Sequence, residues 1–419
     1  MKKIIPIIFF LISFTLFSQD TLRVMHYNLL MYGDNFAGCN STNNNIDDKN
    51  EYLNTIVEYV QPDILTVNEI YKTSYYHEYL KDYALNINGT DYYEMGNIPN
   101  LSNGYTVNQI YYNSEKLTMV SNNPVETNIR DIDIFKLSID NNGTETIYLN
   151  CVVAHLKAGQ GYESERANET NKLMTYLDTS NASGNYLMSG DFNVYTFSEE
   201  AFQNLVYHPN NNIRFYDPIN TMGSWNNNSY YASVHTQSTH TSGECPSGGG
   251  MDDRFDFILA ADEIINGTDK ITYLPGSYKA LGQDGQHFNK SLISSPTNTT
   301  VPYEVLNALY NMSDHLPVIM DLVIDENMGI NDTGNQNIKI SFQNPVKENI
   351  ELMISADRLY NLVIGIQNIQ GKTIYYNKIK MLENKTSFNI PINNFKSGFY
   401  LLKMEDGISI NIVKKIIIL

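Results

Sequence analysis

Two short stretches carry residue types suited to hydrolysis: Ser189-Gly190-Asp191-Phe192-Asn193 and Ser313-Asp314-His315-Leu316-Pro317. In the first, the apolar run Tyr186-Leu187-Met188 ends in small and turn-forming residues that include an acid and an amide. In the second, an acid and an imidazole precede Pro317-Val318-Ile319-Met320. A rigid strand end holds a side chain in place while the adjoining loop leaves it accessible, so α/β sheets concentrate chemistry there. Four more candidates sit on predicted strands or at their ends: Asn28, Glu69, His155 and Asp256.

Each type suits phosphodiester cleavage. That reaction places negative charge on phosphoryl and leaving oxygens, and a hard divalent cation held by oxygen ligands stabilises both. Glu69 is the leading metal-ligand candidate, with Asn28 and Asp314 as helpers. Asp191, steadied by Asn193, suits the orientation and deprotonation of water. His155 and His315 suit proton donation or hydrogen bonding to phosphate. Asp256 suits fixing the tautomer of His315. Singly, each has a plainer reading. Asn28 reads as a turn cap, Glu69 as a surface acid, Asp191-Phe192-Asn193 as an Asx-turn, and Asp256 as the partner of Arg254. Their joint occurrence in order on strand ends outweighs these. Lys72, Lys157, Arg166 and Arg254 are the cations near the same loops; Lys157 and Arg166 suit phosphate contact, and a plain helix-surface role fits Arg166 equally.

The elements that must position these residues follow from periodicity. Residues 22–28 read as a strand, 47–60 as a helix with Leu53, Ile56, Val57 and Val60 on one face, and 64–67 as a strand. Further strands are predicted over 105–112, 147–153 and 253–260, and a helix over 163–177. The aromatic stretch 71–83 reads as a covered helix. Residues 220–250 form a long Asn/Ser/Thr/Gly-rich loop, of a length more often functional than structural. Composition turns polar at 326–344, a linker. Residues 345–419 alternate short apolar runs with turns and read as a small all-β sandwich.

The whole chain sets bounds. Its 419 residues, 42% of them hydrophobic, suffice for a large domain and a smaller one. The net charge of −18 argues against gripping nucleic acid by a broad basic surface. A local metal-containing cleft remains compatible with it. Residues 1–18 follow secretory order: lysines, an apolar block too short to span a membrane, then Ser18. Export permits disulfides. Cys39 and Cys245, both in loops, are expected to pair near the site; Cys151, in an apolar strand, is expected buried and free.

With Tyr27-Asn28, Asn68-Glu69, Ala154-His155-Leu156, Asp191-Phe192-Asn193, Arg254-Phe255-Asp256 and Ser313-Asp314-His315, the chain resembles the endonuclease/exonuclease/phosphatase superfamily over residues 20–325. The resemblance implies a four-layered α/β sandwich, two packed sheets flanked by helices. It also implies Mg²⁺ dependence, with Mn²⁺ or Ca²⁺ as alternatives, and ester cleavage without a covalent intermediate. His155 is similar to the secreted deoxyribonuclease branch. Residues 395–403 with Lys414-Lys415-Ile416 resemble the C-terminal sorting domain of type IX secretion, which implies contact with secretion machinery. The leading expectation is a secreted, monomeric nuclease acting on DNA or RNA, without stable membrane insertion. The alternatives are a sphingomyelinase-like or small-ester phosphatase, and a binding protein without catalysis.

Overall fold

The computed structural model describes residues 21–140, 146–324 and most of 338–418. The leader at 1–18 and most of the linker at 326–344 lie outside the described residues. Up to Ile324 the strands are β1 (Thr21–Tyr32), β2 (Ile64–Tyr71), β3 (Tyr93–Met95), β4 (Thr106–Asn113), β5 (Leu117–Val125), β6 (Ile132–Ile139), β7 (Ile147–His155), β8 (Tyr186–Asp191), β9 (Phe215–Tyr216), β10 (Asp256–Ala261), β11 (Ile271–Tyr273), β12 (Lys279–Ala280) and β13 (Val318–Ile324). The α-helices are α1 (Ile46–Val60), α2 (Ser74–Leu80), α3 (Glu163–Thr179), α4 (Glu200–Val206), α5 (Asp262–Asn266) and α6 (Tyr303–Met312).

The predicted helix–strand alternation builds two sheets. One runs β11-β13-β1-β2-β4-β3 with β12 on β13; the other runs β5-β6-β7-β8-β10-β9. The parallel pairs β1–β2 and β7–β8 need crossovers, which α1 and α3 supply. The side chain of Asn45 accepts from the amides of Asp47 and Asp48 at the start of α1, and Gln61 ends it in the left-handed region, just before Pro62.

Strand alternation sorts side chains into layers. Met25 and Tyr27 of β1 pack with Leu53 and Ile56 of α1 and Leu309 of α6. Leu22 and Val24 pack the other way, against Cys151, Leu187 and Ile258 of the second sheet. That sheet's outer face, with Val152 and Phe257, meets Leu173 of α3 and Phe202 of α4. The result is helix, sheet, sheet, helix: the expected four layers.

Two local expectations change. The predicted strand 253–260 enters the ladder only at Asp256, because the residues before it are engaged elsewhere. Asn226 Nδ2 donates to Asp253 Oδ1 at 2.8 Å, and Arg254 makes a two-pronged pair with Asp217 at 2.8 and 2.9 Å. Arg254 therefore does not pair with Asp256. The stretch 71–83 is not a covered helix. α2 passes into a π-helical turn (Lys81–Leu85), Tyr75 and Tyr83 are each 58% exposed, and Tyr79 stacks between them.

The C-terminal unit comprises β14 (Ile338–Ser341), β15 (Asn349–Ala356), β16 (Tyr360–Asn368), β17 (Thr373–Met381), β18 (Asn384–Pro391), β19 (Gly398–Glu405) and β20 (Asn411–Ile418). They form sheets β14-β15-β18 and β17-β16-β19-β20. Ile350, Leu352 and Ile354 from one meet Leu362, Ile364 and Leu402 from the other in a shared core, the expected sandwich.

The Arg254–Asp217 pair is buried on both sides. Asp217→Asn leaves the guanidinium charge uncompensated and is expected to lower stability by about 3–5 kcal/mol. Urea denaturation of the two proteins checks this; an unchanged midpoint would contradict it.

Candidate active site

The inward-facing positions of the two central sheets change character along the strands. On β1 they run Leu22, Val24, His26, Asn28; on β2, Ile64, Thr66, Asn68; on β8, Leu187, Ser189, Asp191. The apolar end is the inter-sheet core. The polar end is held by bonds between sheets. His26 Nδ1 lies 3.0 Å from Thr66 Oγ1, which lies 2.8 Å from Ser189 Oγ. Asp191 N donates to Asn68 Oδ1 at 2.9 Å.

Glu69 follows the alternation only through a distortion. The β2–β4 register shifts between Val67 and Ile70, and Glu69 adopts φ +61°. Such a bulge re-aims a side chain, and a non-glycine residue there is held only by its surroundings. Glu69 Oε2 accepts from Met31 N at 3.0 Å, and Oε1 lies 3.2 Å from Asn28 Nδ2. Leu30 and Met31 also have positive φ. Lys49, buried, ties this segment down: Nζ donates to the carbonyls of Leu30 (3.2 Å) and Met312 (2.7 Å) and to Asn44 Oδ1 (2.7 Å). Burial lowers its pKa to about 7, against the pull of Asp314 and Glu69.

All eight predicted residues come together. His315 Nδ1 bonds Asp256 Oδ2 at 2.7 Å, while Nε2 lies 3.7 Å from Asp191 Oδ2 and 3.9 Å from Asp314 Oδ1. His155 Nε2 lies 3.5 Å from Asp191 Oδ2 and 3.8 Å from Glu69 Oε1. Asn193 Nδ2 donates to Asp191 Oδ1 at 2.7 Å. Asn28 offers its nitrogen rather than its oxygen to the acids, at 3.0 Å from Asp191 Oδ2, because its oxygen accepts from Leu30 N. Asp314 Oδ2 accepts from Ser247 N at 2.8 Å, and its Oδ1 is buried without a partner.

The two imidazoles are opposites. Burial disfavours charge on His315, but Asp256 and Asp191 outweigh it and hold its pKa well above the usual 6.5. Gln237 Nε2, 2.7 Å from His315 Nε2, favours the neutral ring. Asp256 and Asp191 are the stronger influence, so a charged ring requires Gln237 to rotate its oxygen inward. His155 has no carboxylate on Nδ1, which is buried and unpartnered. Burial, then Arg130, pushes its pKa well below 6.5. Burial also raises Asp191 to about 7, opposed by His315, and raises Glu69, with Asp314 adding to the effect.

Donor atoms of Glu69, His155 and Asp191 lie within 4.8 Å of one another. The buried Asp191 and Asp314, the latter with its Oδ1 lacking a hydrogen-bond partner, and the partly buried Glu69 form a crowded donor set that fits a hard divalent cation.

The loop 220–250 closes one side. Cys39 and Cys245 form the expected disulfide, and Cys151 is buried and free. Both half-cystines line a cavity of about 290 Å³ with Glu69, His155, Asp191 and His315. Sequence reasoning missed Gln237, Lys49 and Arg130. Arg130 donates to the carbonyls of His155 (3.0 Å) and Leu156 (3.2 Å), and its charge is felt by Glu69 and Asp191. A cation just ahead of β6 in an acidic chain was the available signal. Arg166 is corrected: it is buried on Glu199 at 2.8 Å and holds the carbonyls of Lys157 and Gly159, so it supports a loop and does not face phosphate. Arg254 is likewise committed to Asp217.

Below pH 7 the folded, metal-free protein holds the Asp191 proton that the unfolded chain loses near 3.8. That contribution to stability is therefore present at low pH and lost as pH rises through 7. A metal ion needs the deprotonated acid. Mg²⁺ binding is expected to release about one proton at pH 6.5 and clearly less at pH 8.5. Calorimetry in buffers of different ionisation enthalpy measures this; equal release at both would contradict it.

Residues 342–419 match the family model described as secretion system C-terminal sorting domain. No curated protein matches the chain. Among solved structures, the chain is similar to humanized D. rerio TDP2 (14% identity, 72% of this chain and 98% of that one, TM-score 0.45). It is similar to the human Nocturnin catalytic domain with bound sulfate (14%, 73% and 97%, TM-score 0.46). It is also similar to an endonuclease/exonuclease/phosphatase family protein from Bacteroides thetaiotaomicron (13%, 74% and 96%, TM-score 0.45). The C-terminal unit is thus a sorting domain, and it marks the chain for type IX export to the cell surface or beyond.

Proposed function

We propose that residues 20–325 are a divalent-metal-dependent phosphodiesterase of the endonuclease/exonuclease/phosphatase kind, acting outside the cell on nucleic acid. The observation that carries this reading is one cavity lined by His155, His315 and the acids Glu69, Asp191 and Asp314, with the buried Asp256 bonded to Nδ1 of His315 behind it. Glu69 is the principal ligand for Mg²⁺, or for Mn²⁺ or Ca²⁺ in its place, with Asp314 beside it and Asn28 bracing the acids. When bound, the cation supplies charge stabilisation for the phosphoryl and leaving oxygens.

The chain's own residues supply the rest. Asp191, its Oδ1 fixed by Asn193, orients water and takes its proton. His315, its Nδ1–H committed to Asp256, presents Nε2 to a phosphoryl or leaving oxygen. His155, kept neutral, hydrogen-bonds phosphate through Nε2, and the Arg130 guanidinium adds positive charge at that edge.

The exposed Tyr75 and Tyr83, with the half-buried Tyr79 between them, favour a second reading, a lipid phosphodiesterase of the sphingomyelinase kind. A supercoiled-plasmid assay separates the two. Nicking with Mg²⁺ and none with EDTA is expected; hydrolysis of sphingomyelin without nicking would replace the nuclease reading. His315→Ala is expected to cut turnover by about 10²–10⁴ with the fold retained, and wild-type rate in that variant would remove His315 from the mechanism. Glu69→Gln is expected to shift the Mg²⁺ titration to higher concentration.

A further inference from the structure

We propose that Phe36 and Tyr105 form a stacking slot for an unpaired nucleobase at the rim of the site, with Lys72 as its cation. The slot rests on the nuclease reading and narrows the substrate to single-stranded nucleic acid.

Both rings are costly to leave in water. Phe36 is 62% and Tyr105 70% exposed, and neither packs into a core cluster among the described residues. Their planes are within 7° of parallel, with centroids 6.4 Å apart, near the long end of the 4.5–7 Å range for aromatic pairs. They therefore cover each other incompletely and keep parallel faces open to a third flat ring.

The slot is fixed to the catalytic elements. Phe36 O accepts from Cys39 N at 3.0 Å, so the disulfide that closes the site also anchors this turn. Ala37, the next residue, lines the catalytic cavity. Tyr105 O accepts from Lys72 N at 3.2 Å, three residues beyond Glu69. Lys72 Nζ sits 5.1 Å from the Tyr105 ring centroid, beside Asn103 Oδ1 at 3.5 Å. A flat ring and an adjacent ammonium suit a base and its phosphate.

Charge points the same way. A chain of net charge −18 gains little from a phosphate backbone at long range. Base stacking is sequence-tolerant and does not depend on a broad basic surface. A base held in duplex exposes no free face, so the slot selects unpaired strands.

Fluorescence anisotropy of the full chain tests this in EDTA, where no ester is cleaved. The probes are a labelled single-stranded oligodeoxynucleotide and the same strand made of abasic residues. The intact strand is expected to bind about 5- to 150-fold more tightly. Combining Phe36→Ala with Tyr105→Ala is expected to erase that preference. Tyr105→Ala alone gives the same readout should the double variant fail to fold. Lys72→Gln is expected to weaken both strands alike and lower the salt slope by about one. Equal affinity for the two strands in wild type, or a preference that survives in the variants, overturns the slot. Base-dependent binding without any Mg²⁺-dependent diester cleavage would instead overturn the nuclease reading alone.

Discussion

The 2.7 Å bond between His315 and Asp256 joins the two central sheets, since Asp256 opens β10 and His315 precedes β13. Asp256 lies fully inside the protein. A buried carboxylate without a partner is costly, and a buried imidazolium equally so. Each makes the other tolerable only at a fixed separation of the sheets. The apolar part of the inter-sheet core sets that separation, with Leu22, Val24, Ile64 and Leu187 interleaved. The site therefore depends on the core's thickness, and its charges are held by packing.

The same constraint explains why acids crowd where solvent cannot screen them. Asp191 is pushed up to about 7 and Glu69 is raised because both share low-dielectric space with Asp314 or Asp256. Fixed amides limit the cost without adding charge: Asn28 and Asn193 donate to Asp191, and Asn68 Oδ1 holds the Asp191 backbone by accepting from its N–H. Lys49 works from below, where desolvation lowers its own pKa. Glu69, Leu30 and Met31 are held in the left-handed region within this framework. Strain of that kind persists where neighbours over-determine the backbone.

The loops divide the labour differently. Arg166 and Arg254, which look available in sequence, are consumed in buried pairs that shape loops. Arg130, like Lys49, stays near the acids. The disulfide ties the segment after β1 to the long 220–250 loop, so the cavity wall from Cys39 to Ser247 is covalently closed.

The sequence alone determined the α/β alternation and the all-β C-terminal unit, because period-2 and period-3.6 patterns state which face each element buries; the four layers were what the family resemblance implied. It singled out eight candidate residues that the structure brings together, since acids, amides and imidazoles at strand ends have few structural explanations when they occur together. The pairing of Asp256 with His315 and of Asn193 with Asp191 was legible for the same reason, and that of Cys39 with Cys245 from their places in polar loops. Only tertiary structure decided the rest. Whether Arg254 pairs with Asp256 or Asp217 depends on where a loop returns. Whether Asn28 offers oxygen or nitrogen depends on one backbone amide, Leu30 N. The roles of Gln237, Lys49 and Arg130 arise from contacts across 78, 263 and 25 positions. The opposite charge preferences of His155 and His315 follow from burial and Arg130 acting on the first, and from the Asp256 carboxylate bonded to Nδ1 of the second. Local patterns encode burial, whereas partners distant in sequence become neighbours only once the sheets pack.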